Sequence, residues 1–220
     1  LKAPRLFIYG THGIGKSSFA ADAPSPIFIP TEEGANELDV AKFPTASSHE
    51  EVLTYLRALY AEEHQYRTVI IDSIDWLEDY IRLELQGEFT AAELGFGRDS
   101  LLAEERLGDV LNALNMLRNK RGMTSILIAH TEIRRFDSPL TEPYDRYQPK
   151  LQSRFSALLQ EWADAVLFMG YEVTVKKTEG KGFEKDVHRG VGAGERTIYT
   201  EERPGFLAKN RYSMPATLAV

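Results

Sequence analysis

Short apolar runs rich in β-branched residues alternate along the chain with stretches in which apolar residues recur every three or four positions. This alternation predicts a mainly parallel central sheet flanked by helices. Residues 6–9 (Leu6, Phe7, Ile8, Tyr9) form the first predicted strand, followed by strands at 27–29, 68–72, 125–129 and 165–169. Between them, Val52, Leu53, Leu56, Leu59 and Tyr60 share one helical face, and so do Ile74, Leu77, Tyr80 and Ile81. Leu107, Val110, Leu111, Leu114 and Leu117 mark a longer helix whose end is signalled by Lys120, Arg121 and Gly122. Leu151, Phe155, Leu158, Leu159 and Trp162 mark the last helix. Past residue 170 the character changes, and 173–175, 196–199 and 206–208 read as antiparallel strands, with a Gly/Lys-rich loop over 177–194. The expected fold is α/β in a single domain, a core over 1–170 with a β-rich C-terminal extension over 171–220.

Composition narrows the classes. A chain of 220 residues with 43% apolar content can bury one substantial core but hardly two large ones. The net charge of −7 excludes a protein coated in basic surface, so nucleic-acid binding would have to come from local loops. There is no cysteine, hence no disulfide framework, thiol nucleophile or thiolate metal site, which fits a cytoplasmic protein. No stretch approaches the roughly 20 apolar residues of a membrane span. The chain opens on Leu1 and runs straight towards a strand, which reads as a trimmed or partial start without a secretory pattern.

The strongest chemical signal follows the first strand. Residues 10–17 read Gly-Thr-His-Gly-Ile-Gly-Lys-Ser, a complete G-x-x-x-x-G-K-S phosphate-binding loop. A polyphosphate must be wrapped by backbone N–H groups that only a side-chain-poor turn presents, and Gly10, Gly13 and Gly15 allow that approach. Thr11, His12, Ile14 and Ser18 complete the expected nucleotide-binding set, together with Lys16 for the β- and γ-phosphates and Ser17 for Mg²⁺. The helix opened by Ser17, Ser18 and Phe19 aims its positive end at the phosphates and stops before Pro24 and Pro26. ATP and Mg²⁺ are the implied cofactors.

Three strand ends supply further candidates. Val69, Ile70, Ile71, Asp72 is an apolar run that delivers one carboxylate to the strand's C-terminal edge, a Walker B pattern in which Asp72 and Ser17 hold the metal. The second strand ends in Thr31, Glu32 and Glu33, where Glu32 is the candidate general base and Glu33 the alternative. The fourth strand ends at His130, placed to sense the γ-phosphate and pass its presence to the next loop. His12, His49, His64 and His188 show no metal-ligand spacing.

This order of phosphate loop, strand-end Glu, Asp-Ser and polar strand end, followed by Ala208, Lys209, Asn210, Arg211 and Pro215, resembles the RecA-type ATPase core. It resembles in particular the short phage-encoded relatives, including the single-strand annealing group of Sak type, over nearly the whole chain. The resemblance implies that Lys209 and Arg211 are catalytic fingers reaching the γ-phosphate of a neighbouring subunit in a homo-oligomer. It also assigns single-stranded DNA contacts to 87–100 and 131–150, with Phe96, Arg98, Arg134, Arg135, Tyr147 and Lys150 as the named candidates. Glu132, Asp137, Glu142 and Asp145 offset the charge of the second segment, and Lys176, Lys177, Lys181, Lys185 and Arg189 add a basic hairpin. The chain departs from RecA in having His for Gln at the sensor and a Lys/Arg tail pair for Lys/Lys. Because the sequence begins close to its first strand, neither the segment that tethers RecA neighbours nor a large C-terminal domain is expected.

The expected function is that of an ATP- and Mg²⁺-dependent phage ATPase that binds single-stranded DNA and promotes annealing or homologous recombination in the bacterial host cytoplasm. A single-strand-binding protein is a candidate partner, and no membrane association is expected. Two alternatives stay open: a nucleotide-gated phage regulatory or assembly protein without DNA-stimulated hydrolysis, and a small-molecule P-loop kinase.

Overall fold

The computed structural model of the chain describes residues 2–35, 38–138, 142–172, 174–178, 187–191 and 194–219; for 35, 174–178 and 187–191 it describes the backbone only. Val173, Lys181 and Lys185 lie outside the described residues, and the side chains of Lys176, Lys177 and Arg189 are likewise outside them. The first half of the chain runs β1 (Arg5–Gly10), α1 (Lys16–Ala21), β2 (Pro26–Pro30), β3 (Ala41–Lys42), α2 (His49–Ala61), β4 (Thr68–Asp72), α3 (Ile74–Glu88) and α4 (Arg98–Met116). The second half runs β5 (Thr124–Phe136), β6 (Tyr144–Pro149), α5 (Ser153–Trp162), β7 (Ala165–Tyr171), β8 (Thr174–Thr178), β9 (Val187–Val191), β10 (Arg196–Tyr199), β11 (Lys209–Asn210) and β12 (Thr217–Ala219).

The main sheet has the order β12-β10-β7-β1-β5-β4-β2-β3, and β7, β1, β5, β4, β2 and β3 run parallel. Because a parallel sheet is covered on both faces, its strands are apolar on both sides. Phe7 and Tyr9 enter one core with the helical stripes of α2, α3, α4 and α5. Ile8 enters the other, with Ile14 and Ala20 at the phosphate loop and α1. α2 starts where Ser48 accepts a hydrogen bond from the Glu51 backbone N–H, a side-chain cap.

The C-terminal strands continue the central sheet. β10 and β11 both pair antiparallel with the outer edge of β7, β10 along its C-terminal half and β11 at its start. The expected strand over 206–208 is displaced, with regular pairing at Lys209 and Asn210 instead. Leu207 is held where its N–H donates to Tyr9 Oη and its carbonyl accepts from the same hydroxyl.

Two further elements differ from expectation. β5 does not stop at residue 129 but continues to Phe136 and folds back on β6, pairing Thr131 with Pro149 through to Phe136 with Tyr144. Its outer half is polar, so its period of two lacked the apolar face by which a strand is read. α4 begins at Arg98, nine residues before the apolar stripe starts at Leu107. Gly97, in a left-handed conformation with φ 81°, provides the entry.

Candidate nucleotide site

The C-terminal ends of β1, β2, β4 and β5 converge on one cavity of about 430 Å³ lined by His12, Gly13, Lys16, Ser17, Glu32, Asp72 and His130. The loop glycines have physical causes. A Cβ on Gly10 would collide with the Met169 carbonyl, because the loop leaves β1 in contact with β7. Gly15 sits at φ 102°, where an L side chain is strained.

Lys16 Nζ donates to the carbonyls of Gly10 at 2.9 Å and Thr11 at 3.0 Å, so the ammonium is folded over its own loop. Burial lowers its pKa, opposed by Asp72, Asp75 and Glu32. Ser17 Oγ donates to Asp72 Oδ2 at 2.6 Å, which joins the two residues expected to hold the metal. Burial raises the Asp72 carboxyl above its ordinary value, with the Ser17 bond in opposition. The expected Walker pair is therefore assembled across 55 residues of sequence.

The β2 and β4 ends are locked together. Thr31 Oγ1 donates to the Ser73 carbonyl and accepts from the Ser73 N–H, while Tyr80 Oη donates to the Thr31 carbonyl. That places Glu32 beside His130, with Oε1 at 3.7 Å from Nε2. His130 is in turn gripped by Asp75, whose two oxygens take the backbone N–H at 3.1 Å and ring Nδ1 at 2.9 Å. Burial pushes the Asp75 carboxyl up, but the bonds and charge from His130 outweigh it and hold it below the ordinary carboxylate value. An ionised carboxylate can only accept, so Nδ1 carries the proton and Nε2 faces Glu32. Asp75 is the residue that motif reading missed. Its signal was an acidic residue three positions after Asp72, in the first turn of α3.

His12 stacks on His130 with ring centroids 4.2 Å apart. The neighbouring imidazole holds His12 below the ordinary histidine value. His12, one of the expected nucleotide-binding residues, is thus part of the site's contact network. Arg196, also unanticipated, lays its guanidinium against Gly15. Glu33 is exposed in the 3₁₀ turn that follows Glu32.

The tail pair is placed elsewhere. β11 faces Ala165 and Val166, the start of β7, whereas the phosphate loop leaves the opposite end of the sheet. Lys209 Nζ donates to the carbonyls of Gln160 at 2.6 Å and Ala163 at 2.8 Å, capping the C-terminus of α5. Arg211 lies 3.7 Å from Asp164. The chain's own cavity therefore receives neither cation.

The candidate DNA residues divide. Arg134 pairs with Glu132 at 2.6 Å and Arg135 with Asp137 at 3.7 Å, so the hairpin neutralises its own arginines. Tyr147 stacks against Phe168 at 5.3 Å, and Arg98 lies over Phe89. Phe96, by contrast, is fully exposed at a positive φ of 56°, and Lys150 is exposed without an ion pair among the described residues. Among the described residues no helix is long and apolar enough to cross a membrane, and no group of three or more His, Asp or Glu is arranged to hold a metal ion.

Comparison with known proteins bears on the family and the fold. A family model described as an AAA domain matches residues 2–212. The SPbeta prophage-derived uncharacterized protein YorG of Bacillus subtilis (strain 168) is 23% identical over 174 residues, 77% of this chain. The chain spans about half the length of that relative, 51%. Among solved structures, the RadB recombinase superposes with a TM-score of 0.52 at 18% identity, over 98% of this chain and 86% of its own. That likeness is one of fold, a RecA-like arrangement of sheet and helices.

Proposed function

The chain belongs to the AAA domain family, and from this premise we propose that it is a RecA-like, Mg²⁺-dependent ATPase that binds single-stranded DNA and promotes annealing or homologous recombination. The observation that carries the reading is the joining of Lys16, Ser17 and Asp72 to the Glu32–His130–Asp75 chain at one cavity. His130 is also the last residue of β5 before the strand leaves the parallel sheet for its hairpin.

The residues present fit magnesium ATP. Thr11 Oγ1 is buried without a hydrogen-bond partner among the described residues, and Lys16 and Ser17 hold their polar atoms at the cavity. ATP supplies the phosphoryl group and Mg²⁺ neutralises its charge. Gly10 to Ser18 would wrap the phosphates, Lys16 reaching the β and γ groups, and Ser17 with Asp72 would hold the metal. Glu32 Oε1 is placed to accept a proton from water, with His130 Nε2 beside it at 3.7 Å and Asp75 anchoring the opposite ring nitrogen. A change at Nε2 passes through His130 into β5 and its hairpin, a route from nucleotide state to DNA contact. Phe96 and Lys150 are the contacts most open to DNA, with Arg98, Arg134, Arg135 and Tyr147 requiring rearrangement first. Lys209 and Arg211 would act on a neighbouring copy's site in a homo-oligomer.

The self-neutralised hairpin favours one second reading, a nucleotide-gated regulatory or assembly protein of phage origin. Steady-state ATP hydrolysis with Mg²⁺, with and without single-stranded DNA, tests both, with Lys16→Ala as the blank. DNA stimulation that vanishes in the blank supports the recombination reading. Hydrolysis indifferent to DNA supports the gate, and no hydrolysis above the blank overturns the ATPase.

A further inference from the structure

Arg196 opens β10, and pairing with β7 fixes its register: Ile198 faces Met169, Thr197 faces Gly170 and Arg196 faces Tyr171. Met169 in turn lies beside Gly10 of β1, so Arg196 stands two residues beyond the point at which β1 becomes the phosphate loop. Side chains alternate along a strand, so Arg196 shares the face of Ile198. Ile198 is buried in the core that contains Ile8, Ile14 and Ala20, the core beneath the loop and α1. Register and face together bring the guanidinium to the loop. Its Nη1 lies 2.8 Å from where a Cβ on Gly15 would be.

Two features distinguish this contact from ordinary packing. Arg196 is exposed and makes no ion pair among the described residues, whereas Arg5, Arg82, Arg118 and Arg146 are each matched by a carboxylate. It also approaches a loop that already carries the buried cation Lys16. An anion bound at the loop would meet both cations.

We propose that Arg196 is a phosphate-binding residue of the nucleotide site, reaching it from the C-terminal extension. The proposal rests on the reading of this cavity as a nucleotide site and adds a residue to it. In a loop of this pattern the backbone N–H groups cradle the α- and β-phosphates, while the lysine serves β and γ. A guanidinium against Gly15 therefore meets the phosphates that ATP and ADP have in common, and its planar fork suits their paired oxygens.

Calorimetric titration of Mg²⁺-ATP and Mg²⁺-ADP into the wild type and the variants Arg196→Ala, Arg196→Gln and Arg196→Lys tests it. Arg196→Ala and Arg196→Gln should weaken both nucleotides by a similar factor of about 10, equivalent to about 1.4 kcal/mol. Arg196→Lys should recover part of the loss, as a point charge without the fork. Unchanged affinity in both neutral variants overturns the assignment, as does a loss confined to ATP, which would mark a γ-phosphate contact. A loss in the alanine variant alone overturns it too, because the glutamine keeps the bulk and removes the charge. If the wild type binds neither nucleotide, the reading of the cavity falls and the assignment with it; if the wild type binds and the neutral variants bind equally well, only the assignment of Arg196 falls.

Discussion

Asp164 gathers three arginines at the end of the sheet remote from the cavity: Arg5 at 2.8 Å, Arg118 at 3.0 Å and Arg211 at 3.7 Å. Burial pushes its carboxyl up, but the Arg5 hydrogen bonds and the charges of Arg5 and Arg118 outweigh it and leave it below the ordinary carboxylate value. A carboxyl depressed in the folded state stabilises the fold when ionised. That contribution is complete above about pH 4, the ordinary aspartate value, and drains away as pH falls through the depressed one. Asp164→Asn should therefore cost about 2–3 kcal/mol near pH 7, the scale of charge-assisted hydrogen bonds. The gap from wild type should narrow in urea melts run below pH 4, and a gap that widens on acidification would contradict this account. At the cavity, Glu32→Gln should lower hydrolysis about 100-fold, the lower range for loss of a general base. Magnesium ATP affinity, measured by titration, should stay within about threefold, because a glutamine keeps the shape of the side chain that it replaces. Of the residues in this network, Lys16, Ser17, Asp72, Glu32 and His130 were readable, each standing at a strand end or in a motif. Asp75 was not, because its role depends on the β5 strand end lying over the first turn of α3, which spacing does not record.

The β5–β6 hairpin is the element whose character changed most between pattern and structure. Its half-buried face is held by Arg146, whose guanidinium lies 3.7 Å over the Phe136 ring and pairs with Glu202 at 2.9 Å. Such a contact is worth about 0.5–2 kcal/mol according to its desolvation. Phe136→Ala should therefore loosen the hairpin without unfolding the parallel sheet. Hydrogen exchange should quicken at the amides of 132–136 and 144–148 and stay unchanged at those of 69–71 in β4. Quickening across both sets would mean that the hairpin is integral to the core. The charged alternation of Glu132, Arg134 and Arg135 read as a polar loop because nothing local reveals that Glu202 and Phe206 wait on the other side. α4 was anticipated only from Leu107 onward for a similar reason. Its first turn presents Asp99 to Arg82 on α3, and its first buried apolar residue, Ala103, is followed by the charged run Glu104, Glu105 and Arg106.

For the whole molecule, nucleotide binding should stabilise the fold by mass action. At a magnesium ATP concentration of about 100 Kd the gain is about 2.7 kcal/mol, which for a chain of this size raises Tm by roughly 5–10 °C. A thermal melt of the wild type should show that rise and Lys16→Ala should not; equal shifts in both would place the nucleotide away from this loop. The loop itself, the apolar strand running into Asp72 and the succession of helical stripes were legible because each depends on neighbours close in sequence, through a turn, a period of two or a period of 3.6. Strand order and register are different, since they are set by which apolar faces find one another across the whole sheet. The RecA resemblance implied Lys209 and Arg211 as cations for the γ-phosphate of a neighbouring subunit, and antiparallel pairing of β11 with the start of β7 sets them at the end of the sheet away from their own chain's phosphate loop. The same strand, paired with β10 at its other end, brings Arg196 to the phosphate loop. The chain's own sequence determined the phosphate-loop motif and most of the residues that line the candidate cavity. Which distant cation lies beside that loop was decided by the tertiary structure, because only the folded sheet sets one strand's end against another's.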